Sequence, residues 1–223
     1  MQRLGSVLWL LAVAGIAGVA GEVWVDAVHD GDAPVQGAAL FVGAVSLVVA
    51  APTWWLRRLE LQQLAMLGAA VTTVVGLVDA VAATRDTEMT PLAAGLAVSV
   101  LGAGWLAGGL FGRLPPLLLA RLSGSFLVLI GTQIIREGND HAGLWLGLAA
   151  AVALLVIGVA WSHIDLLLAG TVGLFQWTPQ IALFYLEDTL GAEATLFVIG
   201  TLFIVLAGLM SRLYPWVKAR RVA

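Results

Sequence analysis

Apolar runs of about 20 residues, one after another, set the strictest limit on what this chain can become. A helix rises ~1.5 Å per residue, so such a run crosses a hydrocarbon layer ~30 Å thick. Eight runs stand out: Leu4–Val28, Val35–Trp55, Leu61–Thr84, Pro91–Phe111, Pro116–Gln133, Ala142–Trp161, Ile164–Leu186 and Ala192–Met210. The breaks between them (HDGDAP, RRLE, TRDTEMT, GRLP, REGNDH, SHID and EDTLGAE) are short. Short connections make successive helices antiparallel neighbours. Only 11% of residues are charged and 61% are hydrophobic, whereas a soluble domain carries about 25% charge. Too little polar surface remains to cover a soluble globule, so the first partner expected is the lipid bilayer. The fold class expected is all-α: an integral membrane protein with eight transmembrane helices.

Basic residues orient the spans. Arg3, Arg57, Arg58, Arg113, Arg121, Arg212, Lys218, Arg220 and Arg221 fall on one side, and only Arg85 and Arg136 on the other. Cytoplasmic loops carry the excess of Lys and Arg, so both termini are expected in the cytoplasm and the protein in a plasma (inner) membrane, multi-pass. A seven-span chain would move the C-terminal cluster outside. Trp54, Trp55, Trp161, Tyr214 and Trp216 then sit at the inner interface, and Trp24, Trp145 and Tyr185 at the outer one. The first run also has the Arg3, apolar core and small residues of a signal peptide, but it is long for one and is read as a retained helix.

The second half echoes the first. RLGSVLWLLAVAGI (Arg3 to Ile16) resembles RLSGSFLVLIGTQI (Arg121 to Ile134), and GAALFVGAVSLVVA (Gly37 to Ala50) resembles HAGLWLGLAAAVALLVIGVA (His141 to Ala160). Residues 1–114 and 115–223 thus read as two four-helix repeats within one membrane domain. Four helices is an even number, so the repeats are parallel, about an axis along the membrane normal. The bland alternative is that all glycine- and leucine-rich helices look alike.

A layer of polar residues interrupts the spans. Glu22, Asp79, Gln133 and Gln180 each lie sixteen to eighteen residues past the cytoplasmic start of their helix, about 24–27 Å up. Gln176 and Gln180 share a helix face, as do Glu22 and Asp26. Pro179 cannot donate a backbone hydrogen bond and presses on the carbonyl of Phe175, which predicts a kink. Arg136, one turn beyond Gln133, is the cation at this depth. In one reading the layer lines an outward-facing vestibule for a cation, proton or small polar solute. In the other, Asp79 and Arg136 pair, the glutamines tie helices together, and Glu22 and Asp26 reach the outer surface. Depth favours the second, since groups near a helix end are easily solvated. On the fourth helix Gly102, Gly104, Gly108, Gly109 and Gly112 predict close helix contact, with Gly104 and Gly108 spaced as a GxxxG pair.

Other chemistry is sparse. There are no cysteines, so disulfides, thiolate metal sites and cysteine nucleophiles are excluded. His29, His141 and His163 lie in loops and share no ligand spacing, so no metal site is expected. Ser162-His163-Ile164-Asp165 is a turn, with Asp165 expected to cap the seventh helix. The single lysine, Lys218, lies near the C-terminus, which excludes a Schiff base inside a span. No phosphate-cradling loop occurs. No catalytic residue, no cofactor and no nucleic-acid partner are expected.

The stretch GTVGLFQWTPQIALFYLEDTLGAEATLFVIGTLFIVLAGLMSR resembles the C-terminal helix pair of uncharacterised polytopic membrane proteins of high-GC bacteria. It carries their G-x-x-G-L-F run at Gly170, Gly173, Leu174 and Phe175, their Pro-Gln at Pro179 and Gln180, and Asp188-Thr-Leu-Gly191. The resemblance implies a polytopic bacterial membrane protein and brings no catalytic role with it. The function expected is a non-enzymatic membrane protein, a structural or assembly component, whose partners would be a membrane protein or a second copy of the chain. A small-solute, proton or cation transporter using the polar layer comes second, and an intramembrane enzyme third.

Overall fold

In a computed structural model of the chain, residues 12–20, 37–83 and 91–220 are described, and all their regular structure is helical. The helices are α1 (12–20), α2 (Ala38–Arg57), α3 (Glu60–Ala83), α4 (Pro91–Leu110), α5 (Leu117–Gly138), α6 (Asp140–Ala160) and α7 (Ile164–Arg220). Among the described residues six stretches are long and apolar enough to cross a membrane: Ala38–Arg57, Glu60–Ala82, Pro91–Leu110, Leu117–Gly138, Asp140–Ala160 and Ile164–Tyr185. The described residues are therefore all-helical, and six apolar helices fit a multi-pass membrane protein. Outward faces stay apolar, with Val48, Val100 and Val156 each more than half exposed. Hydrocarbon, not water, suits such faces.

Local chemistry sets the helix ends. Asn139 stops α5 and starts α6: its extended backbone cannot continue the helix, and its Oδ1 accepts the Ala142 N–H at 3.0 Å. That side chain satisfies one of the orphan donors of a helix N-terminus. α2 closes on Arg58, whose left-handed backbone (φ 51) directs its N–H to the Trp54 carbonyl at 2.7 Å. α4 closes on Gly112 at φ 74, and Arg113 N–H returns to the Gly108 carbonyl at 2.8 Å. α7 holds one non-helical residue, Gly191 (φ 76, ψ 163), where two helices meet end to end. No side chain tolerates that φ as glycine does.

Glycine at seven-residue intervals governs the most extensive helix contact, α4 against α5. Gly95, Gly102 and Gly109 of α4 face Gly131, Gly124 and Ala120 of antiparallel α5. A Cβ at Gly95 would stand 2.5 Å from the Gly131 carbonyl oxygen, and one at Gly102 2.7 Å from Val128 N. The backbones touch because nothing lies between them, and a seven-residue repeat keeps the seam aligned along both helices. The expected Gly104–Gly108 pair is not the contact. Gly104 opens onto free space, while Gly108 covers Leu114 of the following turn. The seam follows every seventh residue, which takes Gly102 and Gly109 and leaves Gly104 on another face.

Two core clusters flank this seam. Val13, Ala50, Trp54, Met66, Leu67, Trp105 and Ala120 join α1 to α5. Leu106, Leu129, Leu144, Leu154, Leu166, Leu174 and Trp177 join α4 to α7. Trp177 is wholly buried, its ring laid on Gly147 of α6. The turns α2–α3, α4–α5 and α6–α7 share one end of the bundle, here the arginine end. The α5–α6 turn lies at the other, the amide end.

Candidate functional site

α5 and α7 run parallel, side by side, and their polar residues meet at a nearly constant offset. Near the arginine end, Arg121 Nε donates to Asp165 Oδ2 at 2.5 Å, 44 positions apart. Leu129 packs on Gly173 at the same offset. Toward the amide end, Gln176 Nε2 reaches Gln133 Oε1 at 3.5 Å, 43 positions apart. One turn on, an Arg136 Nη donates to Gln180 Oε1, again 44 positions apart. Arg121 and Arg136 stand about 22 Å apart along α5, so the two helices are tied at both ends of a span.

Each rung follows from side-chain reach. Asp165 keeps only 6% of its side-chain surface exposed and Arg121 14%. A buried carboxylate requires a charged, hydrogen-bonding partner, and the guanidinium supplies both. Asp165 was expected to cap α7; it lies instead inside the first turn, one residue past the helix start at Ile164. At the amide end Arg136 divides its donors. Besides Gln180 it holds Asp140 Oδ1 at 3.4 Å from Nε, one helical turn along the chain. The expected Asp79–Arg136 pair is therefore replaced by Gln180 and Asp140. Asp79 sits half-buried on α3, with no ion-pair partner among the described residues. Glu22 and Asp26 lie outside the described residues. Pro179 is half-buried in α7, which keeps helical torsion angles there.

Aromatic residues complete the amide end. The Tyr185 hydroxyl accepts the Trp145 indole N–H at 3.1 Å and lies 3.0 Å from His141 Nδ1. The hydroxyl donates to Nδ1 when the imidazole carries its proton on Nε2. Phe184 stands edge-on to His141 at 5.0 Å between ring centroids. Trp145 and Tyr185 were expected here as interfacial anchors, and each has an apolar body with one polar tip. Asp140 escaped the sequence reading, and His141, expected in a loop, lies in the first turn of α6. The Arg136–Asp140 spacing of four was the available signal for Asp140; nothing local marked the place of His141.

The arginine end has its own polar ties. Trp54 Nε1 donates to the Pro115 carbonyl at 3.0 Å, and Gln63 Nε2 to the Leu114 carbonyl at 3.4 Å. Both bonds hold the α2–α3 turn on the α4–α5 turn. Phe111 meets Trp161 edge-on at 6.1 Å, linking the α4–α5 and α6–α7 turns.

Set beside known proteins, the chain matches no family model, no curated protein and no solved structure.

Proposed function

We propose that the chain is a non-enzymatic, multi-pass protein of a bacterial inner membrane that serves as a structural or assembly subunit. In this reading it has eight spans in two parallel four-helix repeats, with both termini in the cytoplasm. The pairing of Arg136 with Gln180 and Asp140 carries the reading. The one cation of the polar layer already has its acceptors, and the amides on either side of Pro179 are both bonded to α5. Polar groups spent on each other tie helices; they do not wait for a solute.

Transport is the second reading, and Asp79 favours it. An ionisable group inside an apolar span is by default a candidate for an ion or proton path, and Asp79 has no ion-pair partner among the described residues. Gln180→Leu and Asp79→Asn separate the two. For a structural subunit, Gln180→Leu lowers thermal stability in detergent, by roughly 1.5–3 kcal/mol for one hydrogen bond lost from a charged donor that keeps Asp140. Neither change then alters ion or solute flux in proteoliposomes. Flux that is present in the parent protein and lost in Asp79→Asn, at unchanged stability, would transfer the assignment to transport. Native purification recovering a stoichiometric membrane partner is the positive result expected of an assembly subunit.

A further inference from the structure

We propose that the arginine end binds the headgroup of an anionic phospholipid, held between Arg57 and Arg58 of one turn and Arg113 of the next. All three side chains are exposed, and none has an ion-pair partner among the described residues. The two turns are not independent. Trp54 Nε1–H to Pro115 O and Gln63 Nε2–H to Leu114 O hold them together, so the three exposed arginines stand on turns fixed to each other at one end of the bundle. Glu60 is the exposed carboxylate nearby on α3; Asp165 is buried and already neutralised by Arg121. Positive charge is thus in excess on this surface.

Its level in the membrane fits a lipid headgroup. Trp55, Leu56 and Phe111 beside these arginines are 69%, 81% and 69% exposed. Exposed aromatic rings flanked by guanidinium groups belong where acyl chains give way to headgroups. The Arg58 guanidinium lies over the Trp55 ring, 6.0 Å from its centroid, which holds the charge at that level. Backbone chemistry adds an independent mark. Arg58 takes the left-handed cap of α2 at φ 51, a place where glycine or asparagine costs less. Arginine presents paired donors that match phosphate oxygens, and anionic headgroups attract each basic residue close to the surface.

The test uses the full chain in nanodiscs of mixed phosphatidylglycerol and phosphatidylcholine, with retained lipids read by native mass spectrometry after extraction. The parent protein is expected to retain phosphatidylglycerol preferentially, and less so as salt is raised. The preference should fall about fivefold for each arginine lost, vanishing in the triple variant R57Q/R58Q/R113Q. The triple lysine variant R57K/R58K/R113K keeps the charge and should keep most of the preference. Equal retention of both lipids by the parent protein would overturn the proposal. So would a preference that survives in the triple glutamine variant, is indifferent to salt, or is lost in a folded triple lysine variant.

Discussion

An ionised aspartate with 6% of its side chain exposed must have a cation beside it, and Arg121 is that cation. Taking two charges out of water costs so much that the pair adds little net stability, yet removing one partner strands the other. Asp165→Ala is therefore expected to destabilise the protein by about 3–5 kcal/mol, measured by thermal or denaturant unfolding in detergent. Removing both charges together, R121M with D165A, should recover much of that loss. A double variant as unstable as the sum of its single changes would mean that packing, not charge, ties these helices. Neither this pair nor Arg136–Gln180 could be read from local sequence. Each joins residues 44 apart, and helical periodicity speaks only for neighbours three or four apart. What sequence did reveal was that Gln133, Arg136, Gln176 and Gln180 are costly in a span and need partners. Which partner each takes depends on α5 and α7 being parallel and side by side, a fact of packing.

Helices in hydrocarbon gain nothing from hiding apolar surface, so contact between them depends on how closely backbones approach. The α4–α5 seam shows how two glycines two positions apart come to differ. Gly102 lies on the seam, where a Cβ would meet Val128 N at 2.7 Å and the Gly124 carbonyl oxygen at 2.9 Å. Gly104 meets nothing within 4 Å. Alanine favours helix over glycine by roughly 0.5–1 kcal/mol in the absence of other effects. Gly104→Ala is therefore expected to raise the unfolding midpoint slightly. Gly102→Ala must push two backbones apart, and overpacking of about 1–3 kcal/mol outweighs that gain; its midpoint should fall. Equal shifts in the two variants would refute a seam at seven-residue spacing. The sequence showed that glycine crowds this helix, but a four-residue and a seven-residue pattern both fit the same letters. Only the position of α5 chooses between them. Helix limits were easier. The apolar run Pro91–Phe111 and the helix Pro91–Leu110 agree within a residue, because Pro91 opens the run and Gly112 ends it. α5 runs on past Gln133 to Gly138, since Arg136 and Glu137 are good helix formers and only Asn139 stops it.

Across the molecule, alternate turns fall at opposite ends of the bundle, and the arginines sort with them. Arg57, Arg58 and Arg113 occupy turns that Trp54, Gln63 and Phe111 draw into one surface, while Arg136 stands at the other end. For these four arginines the charge count anticipated the division, because it depends only on where apolar runs stop; Arg3, Arg85 and Arg221 lie outside the described residues. How the C-terminal stretch continues depends on a single backbone position. Gly191 breaks α7 into two helices, and if both cross the membrane, Lys218 returns to the side of Arg57. The chain contains no cysteine, so one introduced thiol is the only one a maleimide can find. A membrane-impermeant maleimide applied to intact cells is expected to label Glu137→Cys at the amide end. It should leave Arg57→Cys and Lys218→Cys unlabelled until the membrane is opened, because positively charged segments stay in the cytoplasm. Labelling of Lys218→Cys in intact cells, with Arg57→Cys still protected, would mean an odd number of crossings. The two halves could not then be parallel repeats, since each would no longer enter from the same side.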